Sequence, residues 1–502
     1  MPVNVQAYRR VGINKVLLVL VSTAVVAGVY VGYGTNMNLA SFFRVLVLAN
    51  VFLVGYLVLL RNLIAGIFVY LYSLVFLNYY WRIILPGLWP DLDIPRLMFV
   101  FIWLVFLLEV MMSRRRMLPA GAMGIMMLLI MGAVLLSMFV TGKISIRPFL
   151  NGFVIPYAMF AICRNVFTGK RDTERFISLL TLPLALYLPV TAIFEHLKMY
   201  SLVFPRYIGQ TMVGEVELSW GGRAMGAFIQ PAVTGMVMSS VFILAMTSLS
   251  RMKGGWARLY SFVVVVLTPI GVFFTYTRSA YLGFAAVLLV LVIYSKRLRV
   301  TAGVLLVAIG LAMLGNWSTV SSSNREAGGL AVTETAESRL VVAEASMQMF
   351  LDNPLLGCGF DQYLDKSLPY VMQIRSTVFG LKGAGGAEAT NQHNQFISVL
   401  TEIGLVGFVP FVILYVLIFR LLGRAMRVET EEYDRDFVIA VVGVMAAYVS
   451  AIMFIEPRWF EFLNTFPMIL LGIVSGGYER AVARPSPYAL GWQFRQEREY
   501  SR

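Results

Sequence analysis

Residues 118–140 read LPAGAMGIMMLLIMGAVLLSMFV and contain no charged side chain, and three consecutive arginines, Arg114 to Arg116, stand just before them. A helix of this length crosses the ~30 Å hydrocarbon core of a bilayer, where a backbone must satisfy its own hydrogen bonds. The stretch therefore predicts a membrane-spanning α-helix with a basic flank on one side of the membrane.

The rest of the chain repeats this pattern. Hydrophobic residues make up 59% of its 502 residues and charged residues 14%, whereas soluble domains average about 45–50% and about 25%. The sequence therefore predicts an all-α integral membrane protein with about fourteen transmembrane helices. The predicted helices cover residues 14–34, 40–60, 63–80, 96–113, 118–140, 147–164, 176–195, 224–249, 257–276, 279–295, 300–316, 396–419, 437–456 and 460–478.

The formal net charge of +14 raises the question of a nucleic-acid partner, but the basic residues cluster in alternate short loops. Under the positive-inside rule this asymmetry predicts cytoplasmic termini, so it needs no nucleic acid to explain it. The longer segments 81–95, 196–223 and 317–395 then face outward. We divide the chain into transmembrane helices 1–11 (1–316), an extracytoplasmic loop with a surface helix (317–395), transmembrane helices 12–14 (396–478) and a cytoplasmic tail (479–502).

Two polar segments carry local signals. From Ser338 to Asp352 apolar residues recur near helical spacing until Asn353-Pro354 stops the run. This pattern predicts a helix lying on the bilayer surface or over a cavity. The acidic run 429–434 lies between two predicted spans on the cytoplasmic side, and we interpret it as a solvated turn.

One of the two histidines, His393, stands where the longest polar loop meets an apolar segment. Among side chains histidine has the unperturbed pKa closest to neutrality, so it is well suited to move protons at pH 7. Two interpretations remain open from this feature alone: a histidine packed at the membrane interface, or a catalytic residue on the outer face. The other histidine, His196, follows Glu195 at an outer helix end, and we interpret it as an interfacial residue.

Three arginines, Arg223, Arg278 and Arg339, fall at predicted outer helix ends, where positive charge is disfavoured. A guanidinium group binds phosphate through two parallel hydrogen bonds and stays charged at any relevant pH. The three are therefore candidates to bind a lipid-linked diphosphate near His393. The alternative is that each arginine extends its charge to the lipid headgroups.

Four motifs in order resemble the O-antigen ligase/polymerase family. They are Arg-Ala-x-Gly-x-Phe (Arg223 to Phe228), Thr-Arg-Ser-Ala-Tyr-Leu-Gly (Thr277 to Gly283), Ser-Arg followed by Asn-Pro-Leu-Leu-Gly-x-Gly-Phe (Ser338 to Phe360), and a run from His393 to Gly407 that contains Leu-x-Glu-x-Gly-x-x-Gly. Family members often read Ser-Arg-Gly where this chain has Arg278-Ser279-Ala280.

The resemblance implies a GT-C-like membrane glycosyltransferase that needs no cofactor. Such proteins transfer a glycan from a polyprenyl diphosphate carrier to an acceptor sugar at the outer face of the bacterial inner membrane. It further implies that Arg223 and Arg278 hold the diphosphate, that Arg339 is a weaker candidate for the same anionic site, and that His393 sits beside the acceptor hydroxyl. Attack opposite the leaving group inverts the anomeric centre. Other polysaccharide assembly or export proteins are then candidate partners.

Several alternatives remain open. Within the enzyme class we favour an exopolysaccharide or O-antigen polymerase over a ligase that transfers to lipid A-core. A transporter of lipid-linked oligosaccharide and a scaffold in an export complex are the competing classes. Asp91 and Asp93 form an Asp-x-Asp pair that can bind a divalent cation, but we favour a metal-independent reaction because the arginines already supply positive charge.

Overall fold

The computed structural model describes residues 62–77, 82–83, 92–113, 115, 117–205, 222–315, 317–320, 322, 333–378, 391–428 and 430–483. The predicted spans 14–34 and 40–60 lie outside the described residues, as does most of the predicted cytoplasmic tail. The chain divides into two compact units, Met1–Arg114 and Arg115–Arg502.

The described part of the first unit contains two helices, α1 (Leu63–Phe76) and α2 (Ile94–Met111), and a strand pair. Strands β1 (Arg82–Ile83) and β2 (Leu92–Asp93) pair antiparallel over two residues each. Asn62 caps α1, because its side chain accepts hydrogen bonds from the backbone of the first turn.

The second unit is helical throughout its described residues. Its elements are α3 (Gly121–Thr141), α4 (Ile146–Phe149), a π-helical turn (Leu150–Val154), α5 (Ile155–Val166), α6 (Lys170–His196), a 3₁₀ turn (Tyr200–Leu202), a second 3₁₀ turn (Gly226–Phe228), α7 (Pro231–Leu249), α8 (Gly255–Phe274), α9 (Arg278–Tyr294), α10 (Arg299–Gly315), α11 (Trp317–Val320), α12 (Thr333–Asp352), α13 (Tyr363–Lys366), α14 (Leu368–Val378), α15 (Gln395–Ala425), α16 (Arg435–Ile452), a third 3₁₀ turn (Pro457–Trp459) and α17 (Glu461–Ala483).

Eight helical stretches in the described part of the chain are long and apolar enough to cross a membrane. They are α2, α3, the continuous stretch Ile146–Val166, α6, α7, α8, α15 and α16, and α1, α9 and α10 are shorter apolar helices. The expected α-helical membrane architecture is thus confirmed apart from the short strand pair. The count of about fourteen spans and the GT-C arrangement stay predictions.

Two predicted spans have wrong boundaries. The span expected at 224–249 begins at Pro231, because residues 222–230 form a turn that is bonded to other helices. The span expected at 437–456 ends at Ile452, because the charged residues that follow pair with groups outside α16. The closely spaced pair at 257–276 and 279–295 is indeed two helices, α8 and α9.

The helix predicted between Ser338 and Asp352 is present as the C-terminal part of α12 and ends just before Asn353-Pro354. Its apolar face is covered by protein: Val341 and Ala345 are buried against Val371 and Ile374 of α14. Leu340, in contrast, is 65% exposed. The loop between α11 and α15 therefore has a small apolar core of its own.

Contacts between helices show which helix ends lie together. α16 and α17 run antiparallel, since Tyr433 before α16 donates from its hydroxyl to the carbonyl of Val474 near the end of α17. The ring of Phe228, just before α7, lies 5.2 Å from that of Phe462 at the start of α17. We call this side of the bundle the histidine end, because His393 also lies there, and the opposite side the basic end.

The described part of the acidic run, residues 430–434, lies at the basic end, and the interpretation of the run as a solvated turn was wrong. Glu432 is buried and accepts a hydrogen bond from Arg480 at 2.8 Å. Asp434 caps α16 and pairs with Arg251 at 2.6 Å. The run thus ties α16 to α17 and to the end of α7, because basic residues of those helices face it.

Helix α15 is broken at Gly404, which has the left-handed φ of 59° and an extended ψ of −163°. The segment 354–359, which begins with a turn, bonds to the backbone on both sides of the break. The four bonds run from the N–H of Cys358 to the carbonyl of Thr401 (2.8 Å), Gly359 to Glu402 (3.0 Å), Leu405 to Pro354 (2.9 Å) and Val406 to Leu355 (3.2 Å). Two of the four family-like motifs therefore meet here as one packed unit.

Replacement of Gly404 by alanine is expected to destabilise the protein by about 2–3 kcal/mol, because the new Cβ meets the Leu355 carbonyl and the φ is left-handed. Thermal unfolding of the detergent-solubilised protein measures the loss. Gly423→Ala, in the same helix with no atom within 4 Å of the new Cβ, is the matched control and should not lower the melting temperature. Equal melting temperatures for both variants contradict the importance of the break.

Candidate functional site at the histidine end

His393 is held between two anchored neighbours. The backbone N–H of buried Gln392 donates to Oε1 of Glu456 at 3.0 Å, and its side-chain Nε2 donates to Oγ of Ser346 at 2.9 Å. On the other side, Asn394 caps the first turn of α15. His393 itself has the left-handed φ of 51°, which is uncommon for a residue with a side chain. Its backbone is therefore fixed, while its side chain is exposed.

Charges from two neighbouring segments act on the imidazole of His393. Partial desolvation by the surrounding protein and the positive charge of Arg339 on α12 lower the pKa of His393 from its ordinary value of 6.5, while Glu456 acts in the opposite direction. The guanidinium of Arg339 also lies 5.6 Å from the ring centroid of Phe454. The ring of His393 is consequently neutral at pH 7, with a nitrogen able to accept a proton.

A buried cluster of charged side chains is hydrogen-bonded to the residue that precedes His393. Arg458 is 4% exposed, and its guanidinium forms a bidentate ion pair with Glu402, which is 2% exposed. The same guanidinium donates to Oε2 of Glu456 at 2.8 Å. Burial alone disfavours the charged guanidinium, but the two carboxylates outweigh it and raise the pKa of Arg458. Glu402 therefore pairs with Arg458 about two helical turns after the start of α15 and two residues before the break at Gly404.

The Arg223 turn is built on a second buried carboxylate. Glu195, at the end of α6 and 2% exposed, accepts hydrogen bonds from the backbone of Met225 at 2.6 Å and Gly226 at 3.0 Å. The N–H of Ala224 donates to the carbonyl of Phe274 at the end of α8 at 2.9 Å. The turn is thus attached to two helices, and the half-buried Arg223 lies at its start.

Arg223 and Arg278 lie in one neighbourhood. The charge of Arg223 acts on the hydroxyl of Tyr281, and Arg278 is one turn before Tyr281 at the start of α9. The two arginines that sequence analysis paired are therefore close to the same residue. His196 packs against this region, since its ring stacks on that of Phe274 with the two centroids 3.9 Å apart.

The Arg223 region and the His393 region lie at the same end of the bundle. Phe228 follows the Arg223 turn and contacts Phe462, which is four residues after Arg458. α9 packs on α16, where Gly283 faces Ala447. All four candidate residues, Arg223, Arg278, Arg339 and His393, are thus gathered at the histidine end by helix packing.

Asp91 and Asp93, the Asp-x-Asp pair, belong to the first of the two compact units. Asp91 lies outside the described residues, and Asp93 caps α2 by accepting a hydrogen bond from the backbone of Arg96 at 2.9 Å. The Asp93 carboxylate also pairs with the Arg96 guanidinium at 3.5 Å. Within the part of the chain that the structure describes, no group of three His, Cys, Asp or Glu side chains is arranged to hold a metal ion.

Residues 262–412 match the O-antigen ligase family model. The resemblance to the O-antigen ligase/polymerase family is thereby confirmed. The matched O-antigen ligase segment contains Arg278, Arg339 and His393, whereas Arg223 and Arg458 lie outside it. A search of curated proteins found no match.

Three residues of the site, Glu195, Glu456 and Arg458, were not among those predicted from the sequence. Glu456-Pro457-Arg458 was visible as a charged interruption between two apolar runs, and buried charges inside a membrane protein indicate a functional or structural cluster. Glu195 was visible as an acidic residue at an apolar helix end. Neither signal names the partner, because the partners are distant in the sequence.

Replacement of Glu195 by alanine is expected to free the amides of Met225 and Gly226. Loss of a hydrogen bond to a charged group is worth about 1.5–3 kcal/mol, so amide hydrogen exchange in the 222–230 peptide should accelerate by about tenfold or more. Glu174→Ala, in the same helix α6 but at the basic end with a half-exposed side chain, is the control. Unchanged exchange in Glu195→Ala contradicts the anchoring of the turn.

Proposed function

We propose that the protein is a membrane glycosyltransferase that uses a polyprenyl-diphosphate-linked glycan as donor and a sugar hydroxyl as acceptor. The O-antigen ligase family match and the apolar helices support a membrane enzyme that handles glycans. The observation that carries the finer proposal is a neutral, backbone-anchored His393 at the same bundle end as three arginines.

The arginines are proposed to hold the diphosphate. The donor loses a diphosphate-terminated lipid when its anomeric carbon–oxygen bond breaks, and the leaving group takes the bonding electrons. Preorganised guanidinium groups stabilise that developing negative charge without protonating it. Arg223 and Arg278, which share the neighbourhood of Tyr281, are the main pair, and Arg339 beside His393 completes the anionic site.

His393 is proposed to act on the acceptor. A sugar hydroxyl is a poor nucleophile, so a base within hydrogen-bond distance accelerates its attack. The imidazole accepts the hydroxyl proton as the new bond forms between the acceptor oxygen and the anomeric carbon. Attack opposite the diphosphate inverts that carbon. The proposal needs no cofactor and no metal, so activity should persist in EDTA.

The site is proposed to face the periplasm from the bacterial inner membrane, as the distribution of basic loops predicts. The basic end, with Arg164, Arg251 and Arg480 among its paired charges, is then cytoplasmic. We favour a polymerase of an exopolysaccharide or O-antigen. Transfer to lipid A-core by the same residues is the alternative within the class.

His393→Ala, Arg223→Ala and Arg278→Ala are each expected to lower product formation in membranes by about 100-fold or more, because each removes base or charge stabilisation. Insertion and yield should be unchanged. Arg297→Ala removes an exposed arginine at the basic end, where it lies 3.7 Å from Asp436, and is the matched control with wild-type activity expected. Normal product from both His393→Ala and Arg223→Ala contradicts the proposal.

Deletion of the gene separates the two enzyme alternatives. A polymerase predicts that single repeat units accumulate on the lipid carrier, since chain growth stops. A ligase predicts that full-length polymer accumulates unattached. Movement of a labelled lipid-linked sugar across vesicles by purified protein, with no new glycosidic bond, instead supports a transporter.

A further inference from the structure

One buried carboxylate, that of Glu456, connects the segment that carries His393 to the turn between α16 and α17. Glu456 is 5% exposed and uses both oxygens: Oε1 accepts from the Gln392 backbone at 3.0 Å, and Oε2 accepts from Arg458 at 2.8 Å. Arg458 in turn pairs with Glu402 beside the helix break. A continuous polar path therefore runs from the break in α15 to the residue before His393.

A purely stabilising role explains this cluster poorly. Removal of two carboxylates and a guanidinium from water costs several kcal/mol per ion, and well-packed apolar residues often stabilise a protein equally well. The cluster instead joins three segments that are distant in the sequence, and its end point is a backbone amide rather than another charge. That end point lies next to a residue with a left-handed backbone, which persists only when its surroundings hold it.

We infer that Glu456 is the positioning residue of His393, and that Arg458 and Glu402 hold Glu456 in place. The role rests on the proposed function, since it matters only if His393 acts on the acceptor. Glu456 holds the backbone of Gln392, so that the imidazole points to the same place in every turnover. The negative charge of Glu456 also favours protonated His393 and opposes the effect of Arg339.

Two substitutions separate the anchoring from the charge. Glu456→Gln keeps an oxygen for the Gln392 amide and removes the charge, whereas Glu456→Ala removes both. Glu456→Ala is expected to lower kcat by about 100-fold, as misplacement of a catalytic group by about 1 Å does. KM for the lipid-linked donor should change by less than about threefold because the arginines are intact. Glu456→Gln should lower kcat much less than Glu456→Ala, because its oxygen still accepts from the Gln392 amide although the bond from Arg458 is lost.

The protonation of His393 supplies a readout that does not need activity. The chain has two histidines, so NMR of histidine-labelled protein shows two imidazole signals, and His393→Gln identifies the one from His393. In Glu456→Gln the His393 signal should titrate at lower pH than in wild type, because a favourable negative charge is lost. In Arg339→Ala it should titrate at higher pH, because a repelling positive charge is lost. The acidic side of the pH profile of kcat should shift to lower pH in Glu456→Gln and to higher pH in Arg339→Ala.

Asp365→Ala is the matched control. Its carboxylate is in the same loop region and pairs with Lys143 at 2.6 Å, but its side chain is 62% exposed. Both kcat and the His393 titration should equal those of wild type in this variant. Poor folding of Glu456→Ala does not block the test, because an unmoved His393 titration in Glu456→Gln already shows that Glu456 does not act on His393.

Wild-type kcat in folded Glu456→Ala, or an unmoved His393 titration in Glu456→Gln, overturns the positioning role. The second result together with an inactive His393→Ala overturns that role alone and leaves the proposed function standing. Full activity in His393→Ala overturns the proposed function, and the positioning role falls with it.

Discussion

The ion pair between Arg458 and Glu402 is the constraint on which the histidine end depends. Both side chains are almost completely buried, and a charge taken out of water is tolerated only when it is paired and hydrogen-bonded. Arg458 lies between α16 and α17, Glu402 lies in α15, and the N–H of Asp361 donates to the same carboxylate at 3.0 Å. The pair thus holds three parts of the chain together, and Glu456, which also accepts from Arg458, links them to the histidine segment.

The break in α15 gives the family-like motifs a physical meaning. Gly357, Gly359 and Gly404 all have positive φ, and a Cβ on Gly357 would lie 2.6 Å from the Glu402 carbonyl oxygen. These glycines allow two backbones to approach each other, so their motif positions are explained by packing rather than by substrate. The arginine and histidine positions are the ones that the proposed function uses.

Much of this arrangement follows from the sequence, and the rest does not for a definite reason. Apolar runs such as 118–140 predict helices because length and hydropathy are local properties. Residues 224–230 were assigned to a helix because their apolar side chains are typical of a membrane span, whereas their hydrogen bonds to the distant Glu195 hold them in a turn. Arg223, Arg278, Arg339 and His393 were chosen from local patterns, and helix packing brings them to one end. Glu456 and Arg458 were missed because their roles depend on partners more than fifty residues away.

A double-mutant cycle on Glu402 and Arg458 tests most directly whether this pair organises the histidine end. Glu402→Gln, Arg458→Gln and the double variant are compared by their free energies of unfolding in detergent. Each single variant leaves a buried charge without its main partner, so the double variant should be more stable than the summed losses imply by about 2–3 kcal/mol. Strictly additive losses would mean that the two charges act independently, and would contradict the account.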